Sequence, residues 1–227
     1  MQTFSFPIDE PVQPPVPRFP LVMRVTAYFF SVVFHPLFIP VIAAAWLVFL
    51  QPGFFTGLAA REKSMIVFRV GYNTIFYPAL TVLLLRAVGF IKNIFLNTQR
   101  ERIIPYIATN IFYFWMYLVF KNNEAIPDVL TSYIFGIFLA SSLALLANIY
   151  YKISMHALGM GSLVGLALLI IFTGYSNTMF LPAMIILLLT GLVCTSRLIV
   201  SNHTPFDIYT GVLIAVLCQF VAYAIIA

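Results

Sequence analysis

A polar segment reads TSRLIVSNHTPFD (residues 195–207) and lies between two long apolar runs. From residue 129 to the C-terminus the chain has only five Lys, Arg, Asp, Glu or His residues, and three of them, Arg197, His203 and Asp207, fall in this segment. A charged side chain near bilayer depth costs about 2.5–3.5 kcal/mol on insertion scales, so such residues usually face a protein interior or an aqueous cavity and serve a function. We therefore expect the functional site of the chain to lie in this segment.

The composition of the whole chain predicts its class. Of the 227 residues, 62% are hydrophobic and 8% are charged, and the mean hydropathy is +1.01. These values lie far outside the range of soluble domains and predict an integral multipass membrane protein, which we expect in the plasma (inner) membrane. The net charge of +5 is spread over short connections without a basic tract, so we expect no nucleic-acid partner.

Apolar runs long enough to cross a bilayer, which takes about 20 residues, follow a proline-rich N-terminal arm. We place the arm at residues 1–24 and a single transmembrane helical domain at residues 25–227. The predicted fold is an all-α multipass transmembrane helical bundle with about seven spans, or six if one segment is re-entrant. The expected spans are 25–50, 65–91, 103–120, 129–150, 154–172, 178–200 and 204–226.

Two features inside the spans indicate packing or anchoring and no chemistry. Gly161 and Gly165 stand four residues apart in the fifth span, which predicts close contact with a neighbouring helix. Arg69 and Arg86 lie toward opposite ends of the second span, where each can snorkel to the nearer interface.

Counting the crossings places three polar stretches on the same side of the bilayer. Residues 92–105 follow the second span, residues 152–156 follow the fourth, and residues 196–207 follow the sixth. Alternation of the spans does not by itself require all three polar stretches to fall on the same side of the bilayer. The sequence therefore predicts one composite site assembled from the three stretches.

The segment 195–207 has an internal geometry that suits phosphate chemistry. Pro205 fits the first turn of a helix, where its missing N–H is harmless. With a helix starting there, His203 and Asp207 share a face, and the carboxylate can hold one imidazole nitrogen while the other is left for bond-making. Arg197 ends the preceding span, and its planar fork of five donors suits a tetrahedral oxyanion. The alternative is a polar loop with an arginine at the interface.

The stretch 152–156 supplies a second candidate group. Ser154 can cap the N-terminus of the fifth span, and free N–H groups there favour an anion. His156 stands two residues further on and can reach the same anion as a proton donor. A lone histidine at an interface is more often structural, but His156 and His203 are the only histidines after position 35 and both fall on the same side. We therefore predict a functional role for His156.

These motifs resemble two signatures of the type 2 phosphatidic acid phosphatase superfamily. Ser196-Arg197, five residues, His203, three residues and Asp207 match the spacing of its third signature. Residues 153–156 resemble the second signature, with Ile153 in place of proline and Met155 in place of glycine. The first signature, a lysine followed by an arginine–proline pair, is matched loosely by Lys92, Arg100, Arg102 and Pro105.

The resemblance implies an enzyme that works through a phosphohistidine intermediate, with no metal and no cofactor. His203 would be the nucleophile that takes the phosphoryl group, Asp207 would orient it, and His156 would protonate the leaving alkoxide. The residues that would hold the phosphate oxygens are Arg197, Ser154, Ser196, Lys152, Arg102, Arg100 and Lys92.

Three functions follow from these observations. The leading hypothesis is a lipid phosphatase that cleaves a phosphomonoester or pyrophosphate of an amphiphile, such as phosphatidic acid, phosphatidylglycerol phosphate or polyprenyl pyrophosphate. The second is a catalytically weak or inactive phospholipid-binding membrane subunit, which Met155 and the incomplete first signature favour. The third is a transporter with a proton or ion route through His35, His156, His203 and Asp207, which is disfavoured because the charges cluster at one surface.

Overall fold

In a computed structural model the chain forms a bundle of α-helices. The structure describes residues 19–91, 99–174, 179–201 and 203–226, and of residues 99–102 it describes the backbone alone. Within these ranges there is no strand, and six helices are long and apolar enough to cross a membrane. The protein is thus an all-α multipass transmembrane helical bundle, as the sequence predicts.

The helices run as follows: α1 Leu21–Val33, α2 Ile39–Ala45, α3 Ala60–Gly71, α4 Tyr77–Ala87, α5 Gln99–Lys121, α6 Asp128–Ala147, α7 Met155–Phe172, α8 Phe180–Val200 and α9 Pro205–Ile226. A π-helical turn, Trp46–Leu50, extends α2, and another, Tyr72–Phe76, joins α3 to α4. Helices α3 and α4 therefore form one spanning helix of 28 residues, Ala60–Ala87.

The expected first span, residues 25–50, is not one helix. It consists of α1, a break at residues 34–38 and α2, and each of these helices is short for a span. Pro36 explains the break, because its ring and missing N–H disfavour a continuing helix and push His35 out of the helical region. The structure thus has the lower of the two expected span counts. Helix α1 also begins at Leu21, inside the predicted arm, whose residues 1–18 lie outside the described part.

Small residues bring α7 and α9 close together. A Cβ atom on Gly161 would lie 2.7 Å from the carbonyl oxygen of Val212, and one on Gly165 would lie 2.8 Å from an α9 side chain. The predicted close contact at these two glycines is confirmed. On the facing helix, a Cβ atom on Gly211 would lie 3.1 Å from the carbonyl oxygen of Ser154. The start of α7 therefore meets the second turn of α9.

The long helices alternate in direction, because short connections join neighbours that pack against each other, including α5 with α6, α6 with α7 and α7 with α8. The start of α5, the end of α6, the start of α7, the end of α8 and the start of α9 thus lie at one end of the bundle, which we call the site end. The predicted coincidence of three polar stretches holds for the described backbone. We call the opposite end, with the α5–α6 connection, the far end.

Candidate functional site

The first turn of α9 fixes the carboxylate of Asp207. Helix α9 begins at Pro205, as predicted. The N–H of Thr204 donates to Asp207 Oδ2 at 2.7 Å, and the N–H of Asp207 donates to Thr204 Oγ1 at 3.3 Å, a capping box. His203 lies just before the helix, with Nδ1 3.6 Å from the same Oδ2. Both side chains are buried, at 5% and 9% exposure, so their mutual electrostatic interaction is weakly screened.

A backbone hydrogen bond holds the start of α7 beside this pair. The N–H of Ser154 donates to the carbonyl oxygen of Asp207 at 3.2 Å. Ser154 Oγ accepts from the N–H of Ala157 at 3.4 Å, so Ser154 caps α7 as predicted. Ser154 is fully buried, and the hydrogen bond from its N–H joins the stretch 152–156 to the stretch 196–207. It therefore positions His156, two residues on, near the His203–Asp207 pair.

His156 contacts α1. Its Nε2 lies 3.0 Å from the carbonyl oxygen of Ser31. A carbonyl only accepts, so in this contact Nε2 carries the proton. Ser31 stands in the last turn of α1, where carbonyl groups lack intrahelical partners, and the imidazole satisfies one of them.

Arg197 reaches the same serine from α8. Its Nη1 donates to Ser31 Oγ at 3.3 Å. Ser31 is only 6% exposed, enclosed by helices that are distant in the sequence. The two groups predicted to act on a phosphate, His156 and Arg197, thus meet at Ser31, a residue of α1 that belongs to none of the sequence motifs.

His35 is a third imidazole at the site, carried by the break after α1. Its ring centroid lies 5.5 Å from that of His156, with the planes at 82°. His35 Nδ1 accepts from the N–H of Leu37 at 3.4 Å, which leaves Nε2 as a donor. The ring is partly exposed, but neighbouring groups remove some of its hydration. This desolvation is the larger cause of a lowered pKa of His35, and the positive charge of the Arg197 guanidinium lowers the pKa further.

A sequence signal for His35 exists, since a histidine within an apolar run is a candidate functional residue. In the sequence this signal supports only the transporter hypothesis. Ser31 carries no such signal, because a serine in a helix commonly bonds its own backbone.

The other predicted phosphate ligands are placed differently. The hydroxyl of Ser196 donates to the carbonyl oxygen of Leu192 at 2.7 Å, so its proton serves its own helix. Lys152 is half-buried in the α6–α7 connection at the site end. The backbone of Arg100 and Arg102 lies in the first turn of α5 at this end, while their side chains and all of Lys92 are outside the described part.

The structure therefore brings together five groups, which we call the histidine cluster: His35, His156, Arg197, His203 and Asp207. No group of three or more His, Cys, Asp or Glu side chains that could hold a metal ion is found among the described residues. An imidazole beside a carboxylate, a second imidazole with a transferable proton and a guanidinium are the parts that a phosphoryl transfer through histidine requires.

Fold and cluster together define a multipass helical membrane protein with a polar site at one end of the bundle. Comparison of the chain with family models, with curated proteins and with solved structures yields no match. The function is therefore inferred from the residues of the site.

Proposed function

We propose that the protein is a metal-independent lipid phosphatase that hydrolyses a phosphomonoester or pyrophosphate of an amphiphilic substrate through a phosphohistidine intermediate. The observation that carries the proposal is the buried His203–Asp207 pair, with Nδ1 and Oδ2 3.6 Å apart. The Ser154–Asp207 backbone hydrogen bond of 3.2 Å adds support, because it brings His156 to the same place.

In the first step, Nε2 of His203 attacks the phosphorus atom. The new P–N bond replaces the P–O bond to the leaving group, and protonated His156 donates its proton to the leaving oxygen. The proton on Nδ1 of His203 stays there, facing Asp207, whose negative charge stabilises the imidazolium that forms. Arg197 neutralises charge on the non-bridging phosphate oxygens.

In the second step, water attacks the phosphohistidine. His156, now neutral, takes a proton from the water as the O–P bond forms and the N–P bond breaks. Inorganic phosphate leaves, and His203 returns to its neutral state. Both steps depend on positioning and on fixed charges around the transferring group.

Ser31 contacts the two side chains, His156 and Arg197, that would act on the substrate phosphate in this mechanism. His156 donates to its carbonyl oxygen and Arg197 to its hydroxyl, at 3.0 and 3.3 Å. A substrate phosphate must therefore replace Ser31 at both contacts. Helix α1 has only two buried residues, Ala27 and Ser31, and exposes apolar side chains on its other faces. A substrate with a lipid tail can therefore approach the cluster along an apolar surface.

We propose phosphatidic acid, phosphatidylglycerol phosphate and polyprenyl pyrophosphate as candidate substrates, and the plasma (inner) membrane as the location. The second candidate function is a phospholipid-binding subunit with little or no turnover. The contacts of Ser31 with His156 and Arg197 favour it, because they hold the proton donor and the guanidinium away from a phosphate.

Phosphate release by detergent-purified protein, with chelator present, tests the proposal. The wild type is compared with His203→Ala and with Tyr209→Phe, a control on an exposed side chain of α9. We expect release from at least one lipid phosphate by the wild type and the control, and none by His203→Ala. Full activity of His203→Ala would overturn the mechanism. Folded wild type that binds lipid phosphates and releases nothing would support the subunit function instead.

A further inference from the structure

A cavity of about 260 Å³ opens at the far end of the bundle, between α3 and the α5–α6 connection. Its wall combines apolar side chains with two guanidinium groups, and the main residues are Leu58, Arg61, Met65, Ile66, Arg69 and Ile126. The histidine cluster lies at the other end, so the cavity is separate from the site described above.

The wall of this cavity has a positive charge balance. Glu62 is its one carboxylate among the described residues, and Oε2 of Glu62 accepts from the N–H of Ala59 at 2.7 Å, which caps α3. Neither Arg61 nor Arg69 forms an ion pair with a carboxylate in the described part of the chain. Two guanidiniums thus share the cavity with a carboxylate that is already bonded to the backbone.

The helix directs both arginines to the same place. Arg61, Met65 and Arg69 follow one another at intervals of four residues, so they line one face of α3. Side chains on a helix lean toward its N-terminus, and the N-terminus of α3 lies at the far end. Arg69, for which the sequence indicates snorkelling alone, therefore leans toward Arg61 and contributes to the same wall.

We propose that this cavity binds the phosphate headgroup of an anionic phospholipid from the leaflet opposite the histidine cluster. The two guanidiniums match phosphate oxygens in charge and geometry. The lining also includes Asn123, whose Oδ1 accepts from the N–H of Ala125 and whose side-chain NH2 is a further donor. The side chains of Leu58 and Met65 offer an apolar surface to the first carbons of the acyl chains. A free phosphate ion has the same anionic oxygens as the headgroup but no acyl chain to contact that surface.

Native mass spectrometry of the detergent-purified full chain tests the proposal with phosphatidylglycerol, phosphatidylcholine and inorganic phosphate as probes. The double variant Arg61→Gln/Arg69→Gln is compared with Lys63→Gln/Lys121→Gln, which removes the same charge from the far end without changing the cavity wall. We expect phosphatidylglycerol to bind about tenfold more weakly to the arginine variant, since charge-assisted contacts are lost, and to bind the lysine variant as it binds the wild type.

Equal weakening in both variants, or phosphatidylcholine bound as tightly as phosphatidylglycerol, would overturn the proposal. Inorganic phosphate that displaces phosphatidylglycerol completely at equal concentration would also overturn it, in favour of a free-phosphate site. The elution profile of each variant in size-exclusion chromatography controls for folding. The readout is binding at the far end, so it is independent of phosphate release at the histidine cluster.

Discussion

The guanidinium of Arg197 donates to the hydroxyl of Ser31 at 3.3 Å, although 166 positions separate the two residues in the chain. This contact joins the end of α8 to the last turn of α1 directly beside His156. It places α1 over the histidine cluster, and in the proposed mechanism Ser31 is the group that a substrate phosphate would have to replace.

Substituting Ser31 tests that relationship. Ser31→Ala removes the hydroxyl that engages Arg197 and leaves the carbonyl that engages His156. A hydrogen bond of this kind contributes about 0.5–1.5 kcal/mol net, so we expect kcat/KM for lipid phosphate to rise about two- to tenfold. Ser31→Thr keeps the hydroxyl and should match the wild type. A loss of activity in folded Ser31→Ala would mean that the serine assists the reaction.

Substitutions of the two capping-box residues of α9, Asp207 and Thr204, should differ in their effects on activity and on stability. Asp207→Asn keeps an oxygen that can accept from the N–H of Thr204 but removes the charge that faces His203. We expect phosphate release to fall by about a hundredfold or more, with a small change in thermal stability. Thr204→Ala removes the other half of the cap, and should cost about 1 kcal/mol of stability with most activity kept. Equal effects of both variants on turnover would contradict a role of Asp207 beyond capping.

The close approach of α7 and α9 should be sensitive to one methyl group. In Gly161→Ala the new Cβ atom would lie 2.7 Å from the carbonyl oxygen of Val212, so the helices must separate. Overpacking of this kind costs about 1–3 kcal/mol, and we expect a lower Tm in detergent and reduced phosphate release. Gly191→Ala on α8 is the matched control, because nothing lies within 4 Å of its Cβ position. Similar Tm shifts in the two variants would contradict the packing described here.

His35 should make stability depend on pH. The pKa of His35 is lowered in the folded state, by desolvation first and by the Arg197 charge second. Below pH 6.5, the ordinary pKa of the group, the unfolded chain therefore binds a proton at His35 more readily than the folded chain does. The contribution to stability is therefore complete above about pH 6.5 and falls as the pH decreases toward the folded pKa. Thermal unfolding at pH 7.5 and 5.5 should show a smaller pH effect in His35→Gln than in the wild type. His156 and Arg197 face the ring and stay in both proteins, so an unchanged pH effect would contradict this assignment.

Features set by near neighbours in the chain could be predicted well. The start of α9 at Pro205, the cap by Ser154 and the proximity of His203 and Asp207 follow from helix geometry over a few residues. The single expected helix over residues 25–50 was wrong, because hydropathy alone did not register the break at His35-Pro36. Roles for Lys92, Arg100 and Arg102 stay predictions.

The sequence by itself determined that this protein is a helical membrane bundle with three polar stretches on one side, among them residues 152–156 and 196–207. Hydropathy decides which segments leave water, and alternating spans decide which connections share a side. Only the tertiary structure decided that Ser31 of α1 engages both His156 and Arg197, and that Arg61 and Arg69 share a cavity with the α5–α6 connection. These contacts depend on how apolar helices rotate and pack against one another, and small differences in side-chain shape, which carry no periodic signal, control that packing.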